Sequence, residues 1–395
     1  MTVPQLILSV ISSSLTSVLV PLFAGKSAEQ SHHDAWVFFV LVGGSFSLFA
    51  LLLHLTAPWW VPLLVPGFSR VGQLLTIQLT CIQLIGMVFT ALSGVQSAVY
   101  NARQQFLHAE LFSTLSIVVS LLLLIWALPR FGIVAAAWST ALRYTIQAAV
   151  MMPVMGKFVM PNFKAPALQD AWRRLKNLLI VTTFYKTEPL IDRYLLSMSE
   201  AGSLSIFYLG QQIYGTINTV LAKAVVAPLI THLSVLHKSG DKSGYRILYR
   251  KILLRTILTA FLIMALFSLI GKFLIGILVE WGAFRTNNVS LLWLVMLGLS
   301  GFFVGGLGGQ ITTSAYYARG DTRTPTILGI ACFMLFIPLK IIAFYFWGVL
   351  GIAIVTSVYY VTSFLFQIVY LRKAPGPCSL NLSSSTNKAS QGMRI

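Results

Sequence analysis

The chain is 395 residues long, 57% of them hydrophobic and only 10% charged, with a mean hydropathy of +0.82. Soluble proteins carry about 25% charged residues, so the composition excludes a string of soluble domains. The formal net charge of +18 does not indicate nucleic acid either. Most Lys and Arg sit in short loops beside apolar runs, a pattern that orients a membrane protein and meets anionic phospholipid.

Eleven apolar spans follow in chain order: 3–24, 36–56, 73–100, 109–129, 132–155, 176–198, 203–236, 252–279, 289–318, 325–346 and 348–371. At about 1.5 Å per residue, each is long enough as a helix to cross a hydrocarbon core of about 30 Å. The span 203–236 exceeds one straight crossing, so a tilt, a kink near Pro228 or a cytoplasmic extension is expected. No Lys or Arg precedes the first apolar stretch and Pro21 interrupts it, which argues against a signal peptide. Cys81, Cys332 and Cys378 have no metal or redox spacing, and His32-His33 lies in a polar loop without Cys or His partners. Catalytic motifs of soluble enzymes are absent, and the sequence asks for no metal or cofactor.

A constant offset of 216 residues superposes the chain on itself. Tyr100-Asn101-Ala102-Arg103 falls on Tyr316-Tyr317-Ala318-Arg319, Gly67-Phe68 on Ala283-Phe284, Gly132 on Gly348 and Ala137 on Ala353. One offset carrying several separated landmarks means duplication, and a duplicated apolar chain reads as a two-lobed transporter with substrate between the lobes. The expected fold is an all-α polytopic membrane protein with about eleven transmembrane helices in two repeated lobes, five plus six. An N-terminal lobe is expected at 1–155, a cytoplasmic linker at 156–175, a six-helix lobe at 176–372 and a disordered cytoplasmic tail at 373–395. Val20-Pro21-Leu22 matches Ala227-Pro228-Leu229 in the second span of the second lobe. The first lobe is therefore expected to lack its first helix, through truncation or a helix supplied by another subunit. Alternate loops carry 17 Lys and Arg on one side and 3 on the other, which makes the C-terminus cytoplasmic.

Polar groups inside the spans are the candidate site. The sixth span holds Lys186, Glu188, Asp192 and Arg193. Each charge costs roughly 2.5–3.5 kcal/mol at mid-bilayer, so each needs a reason to be there. At about 100° per residue, Lys186 and Arg193 share one face, and Glu188 and Asp192 nearly the opposite one. One face is expected to meet substrate, with an ion-pair set inside the second lobe as the structural alternative. Arg143, Lys223 and Lys340 add positive charge suited to a phosphate or pyrophosphate, unless they snorkel or bond a neighbouring carbonyl. Gln211 and Gln212 suit sugar hydroxyls or a bridge between helices. Gly301, Gly305 and Gly309 repeat every four residues and suggest close helix packing or a role in rocking.

Several stretches resemble the MurJ (MviN) lipid II flippase family. They are Ala57-Pro58-Trp59-Trp60 through Pro66-Gly67-Phe68; Ile191-Asp192-Arg193 with Gly202-Ser203 and Phe207-Tyr208; Leu278 to Phe284; and Tyr316 through Arg319-Gly320-Asp321-Thr322-Arg323-Thr324-Pro325. The resemblance runs from about residue 3 to 372 and is clearer in the second lobe. It implies the multidrug/oligosaccharidyl-lipid/polysaccharide flippase superfamily, two six-helix lobes, and a Met1 lying just before the second helix. That family carries basic residues on its first two helices, whereas span 3–24 offers Ser9, Ser12, Ser13, Ser14, Thr16 and Ser17 and no charge. Where the family has an Arg and an acidic residue in its eighth helix, this chain has Gln211 and Tyr214.

The expectation is a bacterial inner-membrane flippase, not an enzyme, for a polyprenyl-diphosphate-linked glycan: lipid II or a related cell-envelope unit. Lys186 and Arg193 would hold the diphosphate. Its partners would be the lipid-linked glycan, anionic phospholipid and cell-envelope synthesis enzymes. The rivals are a cation-coupled multidrug exporter and a non-transporting scaffold or truncated relic. Of the ten Asp and Glu, only Glu110 touches a first-lobe span, and only at its edge, which counts against an exporter.

Overall fold

The computed structural model describes residues 28–160, 188–200, 202–279, 286–321 and 323–373, with Leu19, Leu22, Phe23 and Leu168. Among these residues the regular structure is helical throughout. The elements are α1 (Ala28–Leu64), α2 (Arg70–Ala102), α3 (Phe106–Phe131), α4 (Ile133–Met151) with a 3-10 turn at Met152–Met155, α5 (188–197), α6 (Ser203–Lys238), α7 (Lys242–Val279), α8 (Thr286–Gly298), α9 (Ser300–Ala318) and α10 (Arg323–Lys373). Contacts divide the chain into two compact units, Met1–Ala201 and Gly202–Ile395. Most of span 3–24, Lys186, most of the linker and the tail from 374 lie outside the described residues.

The helices are built for lipid. Among the described residues six stretches, α8 and α9 counted together, are long and apolar enough to cross a membrane. On α3 the buried residues are Ala109, Ser116 and Ser120, while Leu121, Leu122, Ile125 and Trp126 stand exposed. In water that pattern is inside out; in a bilayer, small polar residues pack between helices and leucines face acyl chains. Ser120 and Ser139 make the seam between α3 and α4, each hydroxyl donating to the other's carbonyl at 2.9 and 2.8 Å. The multi-pass reading rests on this inversion and on span length together.

Each unit has its own core. In the first, Trp36, Phe38, Met87, Val95, Val99, Met151 and Met155 are buried together. In the second, Leu229, Leu233, Ile311, Ala315, Tyr316 and Phe364 fill the same role. The 216-residue offset holds in the backbone. Gly132, between α3 and α4, has φ 58° and ψ −145°; Gly348, which breaks α10, has φ 55° and ψ −132°. That region is open to glycine and strained for other residues. Ala137 and Ala353 are both buried just beyond it.

Several spans differ from the sequence expectation, two of them informatively. α7 begins at Lys242, ten residues before the predicted 252, because Asp241 accepts bonds from the Gly244 N–H and the Ser243 hydroxyl, both at 2.8 Å, and starts the helix in polar sequence. The span 289–318 breaks at Leu299 into α8 and α9. Ser357 serves both sides of the break, donating to the Gly298 carbonyl and accepting from the Phe302 N–H. α6 runs from Ser203 to Lys238 with Pro228 inside, close to the expected 203–236.

The glycine groove on α9 is also displaced from its expected register. A Cβ on Gly301 would meet Ser357, and one on Gly305 the backbone of Tyr360 and Val361. Gly309 faces open space, and Gly308, against the Phe364 ring, completes the groove. A strict four-residue repeat drifts about 40° per step around a helix, so the contact stripe must shift by one residue to stay on one side.

Candidate functional site

α5 carries the charges that the apolar composition makes conspicuous. Glu188 and Asp192, four residues apart on one face, are 8% and 3% exposed. Arg193, on the other face, is half-buried. Asp192 and Arg193 each have partners, yet Asp192 Oδ2 itself is buried and accepts no hydrogen bond. An unbonded carboxylate oxygen out of reach of water is costly, and the other interactions of Asp192 must offset that cost. The C-terminal end of α5 is held close to the turn after α1: a Cβ on Gly67 would collide with the Ser197 carbonyl, so only glycine allows this approach.

Arg143 is on α4 of the same unit. Its guanidinium carbon lies 5.3 Å from the Tyr144 ring centre, and its Nε is buried without a hydrogen-bond partner. The same helix meets a second polar group, one that sequence reading did not single out. Gln96 on α2 is fully buried; its Nε2 donates to the Ala148 carbonyl at 3.0 Å and its Oε1 has no partner. Span 73–100 also holds Gln73, Gln78 and Gln83, so residue type alone does not mark Gln96 out.

In the second unit, Gln211 is half-buried and Gln212 exposed on α6. Lys223 lies on the same helix, but the description does not extend to its side chain. Lys340 on α10 is only 2% exposed and has a bonding partner. It shares its face with buried Cys332, Phe336 and Ala343, so it points into the unit rather than snorkelling to an interface. Tyr214, where the resembled family has an acidic residue, is a packing residue: its hydroxyl donates to the Met296 carbonyl at 3.0 Å and its ring stacks on Phe303. Asn218 is buried one turn further on, with Oδ1 unpartnered, and escaped notice in the sequence.

One expectation about acidic residues is corrected. Asp34 precedes the expected span 36–56, but α1 starts at Ala28 and Asp34 is a buried, partnered residue near its start. Hydropathy misses such a helix start because the polar first turns read as loop. Asp34 lies near the start of the membrane-spanning stretch His32–Leu64 and not in its middle. The first unit thus contains Glu188, Asp192, Arg193 and Arg143, and the second Gln211, Gln212, Lys223 and Lys340.

Comparison with known proteins narrows what such an arrangement serves. A family model described as "Lipid II flippase MurJ" matches residues 3–389. A probable lipid II flippase MurJ of Thermotoga maritima is 26% identical over 286 residues, covering 70% of this chain and 56% of the relative. One from Rhizobium tropici is 25% identical over 333 residues, covering 79% and 62%. The chain therefore spans between half and two thirds of the length of these relatives. Among solved structures, a lipid II flippase MurJ in an inward closed conformation matches with a TM-score of 0.81 at 17% identity, covering 94% of this chain and 79% of the other. An inward-facing multidrug-resistance MATE transporter matches with a TM-score of 0.77 at 14% identity, covering 94% and 88%. At these identities the structural likeness establishes the fold alone.

Proposed function

The chain belongs to the lipid II flippase MurJ family, and we propose that it is a transporter moving a polyprenyl-diphosphate-linked glycan across the bacterial inner membrane. The observation that carries the reading is the family match over residues 3–389, nearly the whole chain. The substrate is lipid II or a related cell-envelope glycan. A diphosphate headgroup needs cations in a site of low dielectric, and Arg193 and Lys186 are assigned to it, with Arg143 adding positive charge within the same unit; Lys223 and Lys340 add positive charge within the second unit. Gln211 and Gln212 are assigned to sugar hydroxyls. Glu188 and Asp192 hold the opposite face of α5 and offset the cost of its cations. The Lys- and Arg-rich loops face the cytoplasm, and the C-terminus with them.

The exporter reading has only the fold likeness to MATE transporters behind it. Asp34 adds an acidic group to the first unit, but it is buried, already has a partner and lies about two turns from the start of α1.

The test is translocation of a fluorescent polyprenyl-diphosphate glycan in proteoliposomes. The wild-type chain is expected to move it, and Arg193→Gln to move it about ten- to a hundredfold more slowly, the worth of one charge-assisted bond to phosphate. The thermal transition in detergent should stay within a few degrees. A wild-type chain that fails to translocate the probe overturns the function; a well-folded Arg193→Gln with normal rates overturns the assignment of the residue.

A further inference from the structure

At the end of the second unit that carries its basic loops is a cavity of about 970 Å³, lined by residues of α6, α7, α9 and α10. Lys242, Arg246 and Arg250, spaced every four residues, bring three cations from one side of α7. Arg319 comes from the end of α9 and Arg372 from the end of α10. The only carboxylate in the lining is Asp241, and its Oδ1 is already taken by the Ser243 hydroxyl and the Gly244 N–H. Those two bonds hold its carboxyl below the usual carboxylate range. Among the described residues no carboxylate pairs with Lys242, Arg246, Arg250 or Arg372.

Five cations around one cavity repel one another, and that repulsion needs either water or an anion to relieve it. The cavity is not merely a wet surface. Arg319 is held over the Tyr245 ring at 4.9 Å, and Tyr245 is buried, with its hydroxyl donating to the Ala315 carbonyl at 2.6 Å. A rigid aromatic floor therefore aims this guanidinium. The remaining lining is apolar: Leu253 and Leu371 are buried beneath the cations. Along α7, Ile247, Leu254 and Leu258 are 66%, 59% and 73% exposed and continue the apolar surface away from the basic end into the membrane-spanning part of the helix. A free anion would use the cations and waste the apolar wall; an amphiphile uses both.

We propose that this cavity is a resident binding site for the phosphate headgroup of an anionic glycerolipid of the cytoplasmic leaflet, its acyl chains lying along Ile247, Leu254 and Leu258. Arg246 and Arg250 hold the phosphate from the membrane side and Arg319 from the floor. The site uses none of the residues assigned to the transported substrate, so it stands apart from the flippase reading.

The experiment is native mass spectrometry of the full chain released from nanodiscs of phosphatidylglycerol and phosphatidylethanolamine in equal amounts. Wild type is expected to retain phosphatidylglycerol over phosphatidylethanolamine. Each Lys or Arg at a membrane surface is worth roughly a fivefold preference for anionic lipid, so Arg246→Gln/Arg250→Gln should lower retention roughly 25-fold. Both residues are exposed, and an unchanged thermal transition will show that folding is intact. Ile247→Ser/Leu254→Ser should also lose lipid, with the cations still present. Equal retention of the two lipids, equal retention by the arginine variant, or release of the lipid by millimolar inorganic phosphate would each overturn the proposal, the last by showing a site for free anions. Because the readout is bound lipid, a chain that fails to translocate glycan leaves this result standing.

Discussion

Tyr100 to Arg103 in the first unit and Tyr316 to Arg319 in the second form one backbone corner put to two uses. In both, the residue five past the Tyr donates its N–H to the Tyr carbonyl: Gln105 to Tyr100 at 2.9 Å and Asp321 to Tyr316 at 3.1 Å. In both, the Arg is the residue that caps the helix. The side chains then part company. Arg103 donates to the Val154 carbonyl at 3.2 Å, in a 3-10 turn whose next residue, Met155, is fully buried and accepts from Trp36 Nε1 at 3.0 Å. Arg319 instead lies on Tyr245 and lines an open basic cavity. Duplication supplied the corner; what each unit later packed against it decided whether the cation is spent on a carbonyl or left for a ligand.

The largest effects should come where the two units still agree. Gly132 and Gly348 have nearly the same φ and ψ, and a Cβ at either would meet nothing within 4 Å. Alanine there brings no clash, only a conformation that side chains resist at about 1–3 kcal/mol. Gly132→Ala and Gly348→Ala should therefore each lower the unfolding transition in detergent, and by similar amounts. A large drop for one and none for the other would mean that the two turns are not equivalent.

The next largest effect should separate the units. Arg103→Ala removes a charge-assisted bond and should cost about 1–1.5 kcal/mol, at the low end because Arg103 is otherwise exposed. It should leave retained lipid unchanged. Arg319→Ala should do the reverse, with little change in the transition and loss of bound anionic lipid. If both variants lose stability alike, the second arginine is as structural as the first and the contrast fails.

How far the sequence revealed this depends on which force set each feature. Charges in an apolar chain are rare enough that Glu188, Asp192, Arg193 and Lys340 could be found by inspection, and the 216-residue offset could be read off Tyr100 and Tyr316. Which way such a charge faces was not legible. Lys340 fits a snorkelling pattern in sequence, yet it is buried, because that depends on neighbours far along the chain. The start of α7 was missed for a related reason: Lys242, Arg246 and Arg250 look like a loop to hydropathy, while their four-residue spacing, the one available clue, marks a basic helix face. Gly308 could not be preferred over Gly309 without knowing where α10 crosses α9. Gln96 and Asn218 are quiet in composition and conspicuous only once burial and missing partners are known.

The smallest effect isolates a flaw that the duplication left in one unit. Directly after each arginine the chain enters the left-handed region, at Gly320 with φ 79° and at Gln104 with φ 59°. Gln104 is the one non-glycine residue with positive φ among those described. Left-handed backbone costs a side-chain-bearing residue about 1 kcal/mol, while glycine forfeits part of that gain through the greater freedom of its unfolded chain. Gln104→Gly should therefore stabilise the first unit by only a few tenths of a kcal/mol, and Gly320→Ala should destabilise the second by somewhat under about 1 kcal/mol. Opposite signs at equivalent positions are the signature of one backbone corner filled well in one unit and poorly in the other. If Gln104→Gly instead destabilises, its side chain is making a contribution large enough to outweigh the strain, and the first corner is as well fitted to its residue as the second.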